Sequence, residues 1–181
     1  MNLTCNLYAH GYNEKALKIS VSSMLTDSNL CSIATTNGIV PHIHTAYFAY
    51  SSDLTIYFLS PPTAQHSINL DVHSAVALSI FNGIQNYAGE LQGLQVFGEC
   101  MLSVGATAKT AYEVYGSRFP QVYDRIPTIE DYEHGIIASR FYEVKPHSIK
   151  IFDEPRFGKR VWVATSVVSG YTKAKELANE T

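Results

Sequence analysis

The chain has no long apolar run and no leader-like start. None of its 181 residues lies in an apolar segment long enough to span a bilayer. The first thirteen residues, Met1–Asn13, lack the basic start and unbroken apolar stretch of a signal peptide. We therefore expect a cytoplasmic protein without a membrane partner.

Positive charge and cysteine are also scarce. The sequence has 13 Lys and Arg against 16 Asp and Glu, a net charge of −3. This balance gives no electrostatic basis for binding nucleic acid or an anionic membrane. Cys5, Cys31 and Cys100 are odd in number and match no metal-ligand spacing, which favours buried free thiols in a reducing compartment.

Two common kinds of enzyme motif are missing. The 11 glycines are too sparse for a dinucleotide-binding loop, and no Gly-x-x-x-x-Gly-Lys phosphate loop occurs. No serine or cysteine stands in a recognisable arrangement with a base and an orienting partner. The sequence therefore disfavours a doubly wound nucleotide-binding fold and a nucleophilic hydrolase.

The chain does contain a series of short β patterns separated by turns and short helices. Asn37-Gly38 between two apolar runs is a strong hairpin signal, because both residues tolerate positive φ. Hairpin-linked strands with short helical crossings predict a mainly β protein, an antiparallel Greek-key split β-barrel with flanking helices. We predict one domain over residues 1–168 and a solvated C-terminal tail over 169–181. The predicted strands are 30–36, 39–48, 54–59, 75–81, 94–104 and two pieces of 139–152 separated at Pro146, and the predicted helices are 14–26, 64–71 and 107–119.

One strand carries an uncharged amide between two glycines. In Gly93–Glu99, Leu94 and Val96 point to one face, while Gln95 and Phe97 point to the other. The flanking glycines leave room for another backbone or a planar ligand. An amide there can donate and accept hydrogen bonds to a ligand, or it can simply face water.

Several stretches, taken in order, resemble the pyridoxamine 5'-phosphate oxidase-like superfamily, the FMN-binding split barrels. The resemblance covers roughly residues 14 to 163. The chain is similar to a poorly characterised bacterial branch of this superfamily rather than to the oxidases proper. The matching stretches are Ala34-Thr35-Thr36-Asn37-Gly38 with Pro41-His42, Tyr57-Phe58-Leu59, Ala75-Val76-Ala77-Leu78, Gly93-Leu94-Gln95 with Gly98-Glu99, Tyr115-Gly116-Ser117-Arg118-Phe119-Pro120, Ile149-Lys150-Ile151-Phe152-Asp153 and Phe157-Gly158-Lys159-Arg160.

This resemblance implies a homodimer with two FMN sites at the subunit interface, each built from both chains. Gln95 matches the flavin-contacting glutamine of the family, which is usually contributed across the dimer. The resemblance implies no particular catalytic residue and no metal ligand in this chain. The cofactor-binding residues it implies are His44, Thr45, Ala46 and Tyr47 on a strand, Phe58 and Leu59 on the next strand, Gln65 and His66 at a helix start, Gln95, and Trp162 on the last strand.

The phosphate site departs from the family pattern. The family usually holds the phosphate with a basic pair, often Arg-Lys, where this chain has Gln65-His66, and the strand position that is arginine in the oxidases proper is His44. Charge-assisted contacts are roughly twice as strong as neutral ones, so the substitution weakens FMN affinity unless the histidines are protonated. The substrate-phosphate arginines of the oxidases proper have no match, so that particular reaction is not expected.

Three functional hypotheses remain open. The first is an FMN-dependent oxidoreductase that passes a hydride or electrons between flavin and a small substrate, a nicotinamide or oxygen. The second is a non-catalytic module that binds flavin or haem, since His42, His44, His66 and His73 could supply ligands or could simply face solvent. The third is a dimeric split barrel that has lost its cofactor.

Overall fold

Eight antiparallel strands form a single sheet in the computed structural model, which describes residues 2–168. The predicted tail over 169–181 lies outside the described residues, and the domain boundary at 168 remains a prediction. The strands are β1 (Asn6–Tyr8), β2 (Leu30–Thr36), β3 (Pro41–Tyr50), β4 (Ile56–Ser60), β5 (Ala75–Ile80), β6 (Gln92–Leu102), β7 (Arg140–Asp153) and β8 (Trp162–Val168).

The sheet closes into a barrel because β7 pairs with both β4 and β6. The order β7-β4-β3-β2-β5-β6 returns to β7, which gives six strands in a closed antiparallel barrel. The second half of β7 also pairs with β8, and β8 pairs with β1, so two strands extend beyond the barrel. The predicted mainly β split barrel is confirmed.

The structure corrects the prediction at Pro146. The sequence suggests two strand pieces there, but β7 is one continuous strand of 14 residues. Opposite the proline the register of β6 shifts between Phe97 and Gly98, whose partners are Ser148 and Pro146. A bulge of this kind accommodates a residue that has no N–H to donate.

Five α-helices and one 3₁₀ helix flank the strands within residues 2–168. The first begins as predicted, with the Asn13 side chain accepting a hydrogen bond from the Ala16 N–H at 3.3 Å. None of these helices is long and apolar enough to cross a membrane. The helices are α1 (Glu14–Asp27), α2 (Gln65–Val72), α3 (Ala106–Arg118), α4 (Ile129–Glu133) and α5 (Glu154–Phe157), with the 3₁₀ helix at Pro120–Asp124.

The barrel interior is the main hydrophobic core. Ile33, Leu78, Val96 and Ile149 are direct partners across β2, β5, β6 and β7, and all are buried. Helix α1 contributes a buried stripe that includes Leu17, Val21 and Leu25 to this core. A second, smaller cluster lies where α3, the 3₁₀ helix and α4 pack with β3, β4 and β7.

Candidate functional site

Three histidines meet where β3 passes the start of α2. His42 and His44 are two residues apart on β3, so their side chains share one face of the strand. That face is the barrel interior, because His44 pairs directly with the buried Ile33. His66 lies in the first turn of α2 and is 8% exposed. Strand and helix therefore bring together residues 22 to 24 positions apart.

The imidazole rings are in close contact. The centroids of His44 and His66 lie 3.4 Å apart with 10° between the planes, and those of His42 and His66 lie 6.1 Å apart. One ring nitrogen from each of the three histidines can be chosen so that all lie within 4.8 Å of one another. The ring of Phe58, on β4, packs beside the pair at 5.7 Å from His44. We call His42, His44 and His66 the histidine cluster.

The nitrogens of the cluster are poorly satisfied. Nε2 of His66 shares a hydrogen bond with the Ser60 hydroxyl at the end of β4. Both ring nitrogens of His44 and Nδ1 of His42 are buried and make no hydrogen bond of normal geometry. Buried polar atoms without partners are costly and uncommon in folded proteins, so this end of the barrel has unused capacity to bind a ligand.

The surroundings favour neutral imidazoles. Burial, and then the neighbouring His66 and His42, lower the pKa of His44 to about 4, with the Ile33 backbone opposing this as the smallest contribution. Burial, and then His42, also lower the pKa of His66. Both rings are therefore uncharged near pH 7.

Helix α2 is held against the barrel by a chain of side-chain amides. Gln65 Nε2 donates to Asn69 Oδ1 at 2.9 Å, and Asn69 Nδ2 donates to Thr35 Oγ1 on β2 at 3.1 Å. The Ser67 hydroxyl donates to the Pro61 carbonyl at 2.9 Å. These bonds fix the helix start that presents His66. The Gln65 amide already bonds to Asn69 within the helix, so Gln65 helps to hold the helix in place and lies outside the group of histidines.

A group of polar residues that includes the predicted Thr45 and Gln95 lies on the outer face of the sheet. Thr45, Ser32, Ser79, Gln95 and Lys150 are successive direct partners across β3, β2, β5, β6 and β7. Direct partners in antiparallel strands share a face, so these side chains form one polar row. We call this set the polar row.

The polar row ends beside an aromatic groove. Trp162 stacks on Phe152 with 4.5 Å between centroids and 18° between planes. These two rings, Phe81 and Gln95 line a groove of about 290 Å³. The groove combines flat apolar surface with an amide, which suits a planar ligand with a polar edge.

The structure thus divides the predicted cofactor residues into two groups on opposite faces of the sheet. His44, Phe58 and His66 come together at the barrel end, and Ala46 packs on the core from the same face as His44. On the outer face, Thr45 and Gln95 belong to the polar row, Tyr47 is largely exposed, and Trp162 stacks on Phe152. Leu59 packs against the second cluster beneath α3.

His42 belongs to the cluster although the resemblance implied no role for it. Its spacing of two from His44 on a predicted strand was the available signal, because such residues share a face. The approach of His66 depends on the path of α2 and could not be derived from spacing alone.

Comparison with known proteins gives structural neighbours only. No family model matches the sequence, and no curated protein matches it. Solved structures that match include HutZ, the haem storage protein from Vibrio cholerae, with 16% identity, a TM-score of 0.56, and coverage of 72% of this chain and 89% of that one. A Listeria innocua protein provisionally assigned as a pyridoxamine 5'-phosphate oxidase matches with 15% identity, a TM-score of 0.56, and coverage of 75% and 97%.

A haem-binding protein from Mycobacterium smegmatis matches with 10% identity and a TM-score of 0.62, over 81% of this chain and 56% of that chain. Identities this low establish the fold alone. The chain has the fold of the pyridoxamine 5'-phosphate oxidase-like split barrels, as the sequence resemblance predicted.

Proposed function

We propose that this protein is a cytoplasmic, homodimeric split barrel that binds FMN at the interface between its two copies. The observation that carries this proposal is the groove on the outer side of the sheet, which Gln95 lines together with the stacked rings of Phe152 and Trp162. An isoalloxazine can lie against the aromatic surface while its polar edge bonds to the amide. In the resembling family this glutamine comes from the other copy, so each site would combine the groove of one chain with the histidine cluster of the other.

The start of α2 can hold the phosphate of FMN by hydrogen bonding, but it offers no positive charge. The first N–H groups of a helix, here those of Gln65, His66 and Ser67, have no partner one turn earlier and favour an anion. The side chains at the family's basic positions are neutral, because burial lowers the pKa of both His44 and His66. The residues present can therefore hold the FMN phosphate with neutral donors only, and we expect the protein to retain FMN weakly.

Bound flavin would supply hydride or electron transfer to or from a small substrate, a nicotinamide or oxygen. The chain's own residues would orient the flavin: Gln95 by hydrogen bonding, Trp162 and Phe152 by stacking. The buried free thiols of Cys5, Cys31 and Cys100 agree with a reducing compartment.

Haem is a second candidate, favoured by a specific observation. His44 has two buried ring nitrogens without normal hydrogen bonds, and neutral imidazole is a common haem ligand. A haem-bound protein would show a Soret band that disappears in His44→Ala, which separates this candidate from the flavin.

The test is an absorption spectrum of purified protein, repeated after incubation with excess FMN and gel filtration. We also propose His66→Lys, which restores a basic residue at the helix start. If the phosphate lies there, this variant should bind FMN about 10 to 100 times more tightly, because a charge-assisted contact replaces a neutral one.

The matched control is Ile68→Lys, which adds the same charge to an exposed position of the same helix. Tighter FMN binding in His66→Lys alone supports the proposed phosphate position. Equal FMN affinities in the two variants would refute that position. A colourless protein that releases FMN in all three forms would refute the flavoprotein and leave a dimeric barrel without a cofactor.

A further inference from the structure

The histidine cluster has the composition of a transition-metal site. It supplies three imidazoles, and no carboxylate or thiolate among the described residues joins the group. Neutral imidazole ligands suit zinc, copper and nickel, whereas magnesium and calcium prefer oxygen ligands. The pattern therefore selects a nitrogen-binding divalent ion.

The separation of the nitrogens is close to what such an ion needs. A tetrahedral zinc site with Zn–N bonds of about 2.0–2.1 Å places its nitrogens about 3.3 Å apart. The cluster nitrogens already lie within 4.8 Å of one another, so side-chain rotations of His42, His44 and His66 can close the remaining distance. An imidazole binds a metal in its own ring plane, so the parallel rings of His44 and His66 must tilt apart on binding.

The hydrogen bonding points the same way. His44 has both ring nitrogens buried without normal partners, and Nδ1 of His42 is likewise unsatisfied. A bound cation would satisfy one nitrogen on each ring. The Ser60 hydroxyl already holds the ring of His66 through Nε2, and a hydrogen bond at one nitrogen is what orients a metal-binding imidazole.

We propose that His42, His44 and His66 bind one divalent transition-metal ion of the zinc class, with a fourth position left open. Three protein ligands and an open position are typical of metal sites that bind water or an anion. This site goes beyond FMN binding and stands whether or not the protein binds a flavin.

The metal would also supply the positive charge that this region of the chain lacks. His44 and His66 stand where the resembling family has basic residues for a phosphate. A divalent cation on neutral imidazoles restores charge at that place, and its open position can accept a phosphate oxygen. Binding of the metal would then increase the affinity for the phosphate, and binding of the phosphate would increase the affinity for the metal.

The experiment is equilibrium dialysis and calorimetric titration of the metal-stripped, full-length protein with Zn²⁺ alone. We expect one zinc ion per chain at micromolar or lower Kd. His44→Ala and His66→Ala should each weaken binding on the order of 100-fold, because a ligand is lost. His134→Ala, at an exposed histidine outside the cluster, is the matched control and should bind zinc as the unmodified protein does.

A second measurement does not depend on variants that fold. Co²⁺ added to the unmodified protein should give the intense visible absorption of a tetrahedral site, and Zn²⁺ should displace it. Failure of the unmodified protein to bind either ion at micromolar concentration would overturn the proposal, as would undiminished zinc binding in both cluster variants. FMN absorbance measured with and without Zn²⁺ is a separate readout, so a failed metal site and a failed flavin site are distinguishable.

Discussion

The imidazoles of His44 and His66 stack face to face with 3.4 Å between centroids. His44 comes from a strand lining the barrel, and His66 comes from the first turn of the helix that crosses the barrel end. Two protonated imidazoles at this distance would repel each other strongly. Neutral rings can stack in this way, which agrees with the lowered pKa of both His44 and His66.

Acid should destabilise the metal-free protein through His44. Its pKa is about 4 in the folded state against an ordinary value of 6.5, so the unfolded chain takes up the proton first. The associated stability is complete above pH 6.5, falls as pH decreases, and is lost below pH 4. The loss is at most about 3 kcal/mol, and smaller to the extent that water reaches the half-buried ring.

Urea unfolding at several pH values between 7.5 and 4 measures this effect. His44→Gln should flatten the dependence of the free energy of unfolding on pH, whereas His134→Gln should leave it unchanged. An unaltered slope in His44→Gln would show that other groups cause the acid sensitivity.

Removing Arg118 should destabilise the fold by about 2–3 kcal/mol, as expected for part-buried hydrogen bonds from a charged donor. The guanidinium reaches from the end of α3 to the end of α1, where Nη2 donates to the Leu25 carbonyl at 2.7 Å and to that of Ser28. It also lies 4.7 Å from the ring of Phe48. Chemical denaturation of Arg118→Ala measures the loss, and Lys109→Ala, at an exposed position on the same helix, should be nearly neutral. Equal stabilities of the two variants would contradict this role.

A side chain at Gly98 should distort the bulge opposite Pro146. A Cβ there would lie 2.4 Å from the Lys145 carbonyl oxygen and 2.9 Å from the Cα of Pro146, and these backbone atoms cannot move independently of the barrel. We expect Gly98→Ala to lower the free energy of unfolding by roughly 2–4 kcal/mol. Gly83→Ala, where nothing lies within 4 Å, is the control in the same urea titration, and a difference under about 0.5 kcal/mol between the two would refute the prediction.

A charge on the outer face of the sheet should split the proposed dimer. Ile43, Tyr47 and Trp162 are 68%, 57% and 48% exposed on this face, and burying such apolar surface is what stabilises association. Ile43→Lys should halve the mass measured by sedimentation without changing the circular dichroism. Val104→Lys changes an equally exposed residue in the turn between β6 and α3 and should keep the larger mass. A monomeric unmodified protein would refute the interface from the start.

Features set by neighbouring residues could be predicted from the sequence. Alternation in β6 correctly placed Leu94 and Val96 on one face and Gln95 on the other, because strand faces follow from a period of two. The Asn37-Gly38 turn likewise locates the β2–β3 hairpin. Strand β1 was missed, because its three residues are ordered by pairing with β8, about 160 positions away.

The candidate site was predictable in part for the same reason. Local spacing placed His42 and His44 on one face, but their contact with His66 depends on how α2 crosses the barrel end. The continuity of β7 through Pro146 depends on a bulge in the opposite strand. Neither arrangement has a signature within a few residues of the positions concerned.

Strand β7 pairs with β4, β6 and β8, and this also determines when the protein can fold during synthesis. Strands β2 to β6 are complete once residue 102 has been made. The two edges of the sheet they form, β4 and β6, are closed only when both pair with β7, which ends at Asp153. For about 50 residues of translation the growing chain presents two open strand edges and an uncovered apolar face. A ribosome-bound chain is therefore most exposed to misassociation between the synthesis of β6 and that of β7, and closure of the barrel is a late event.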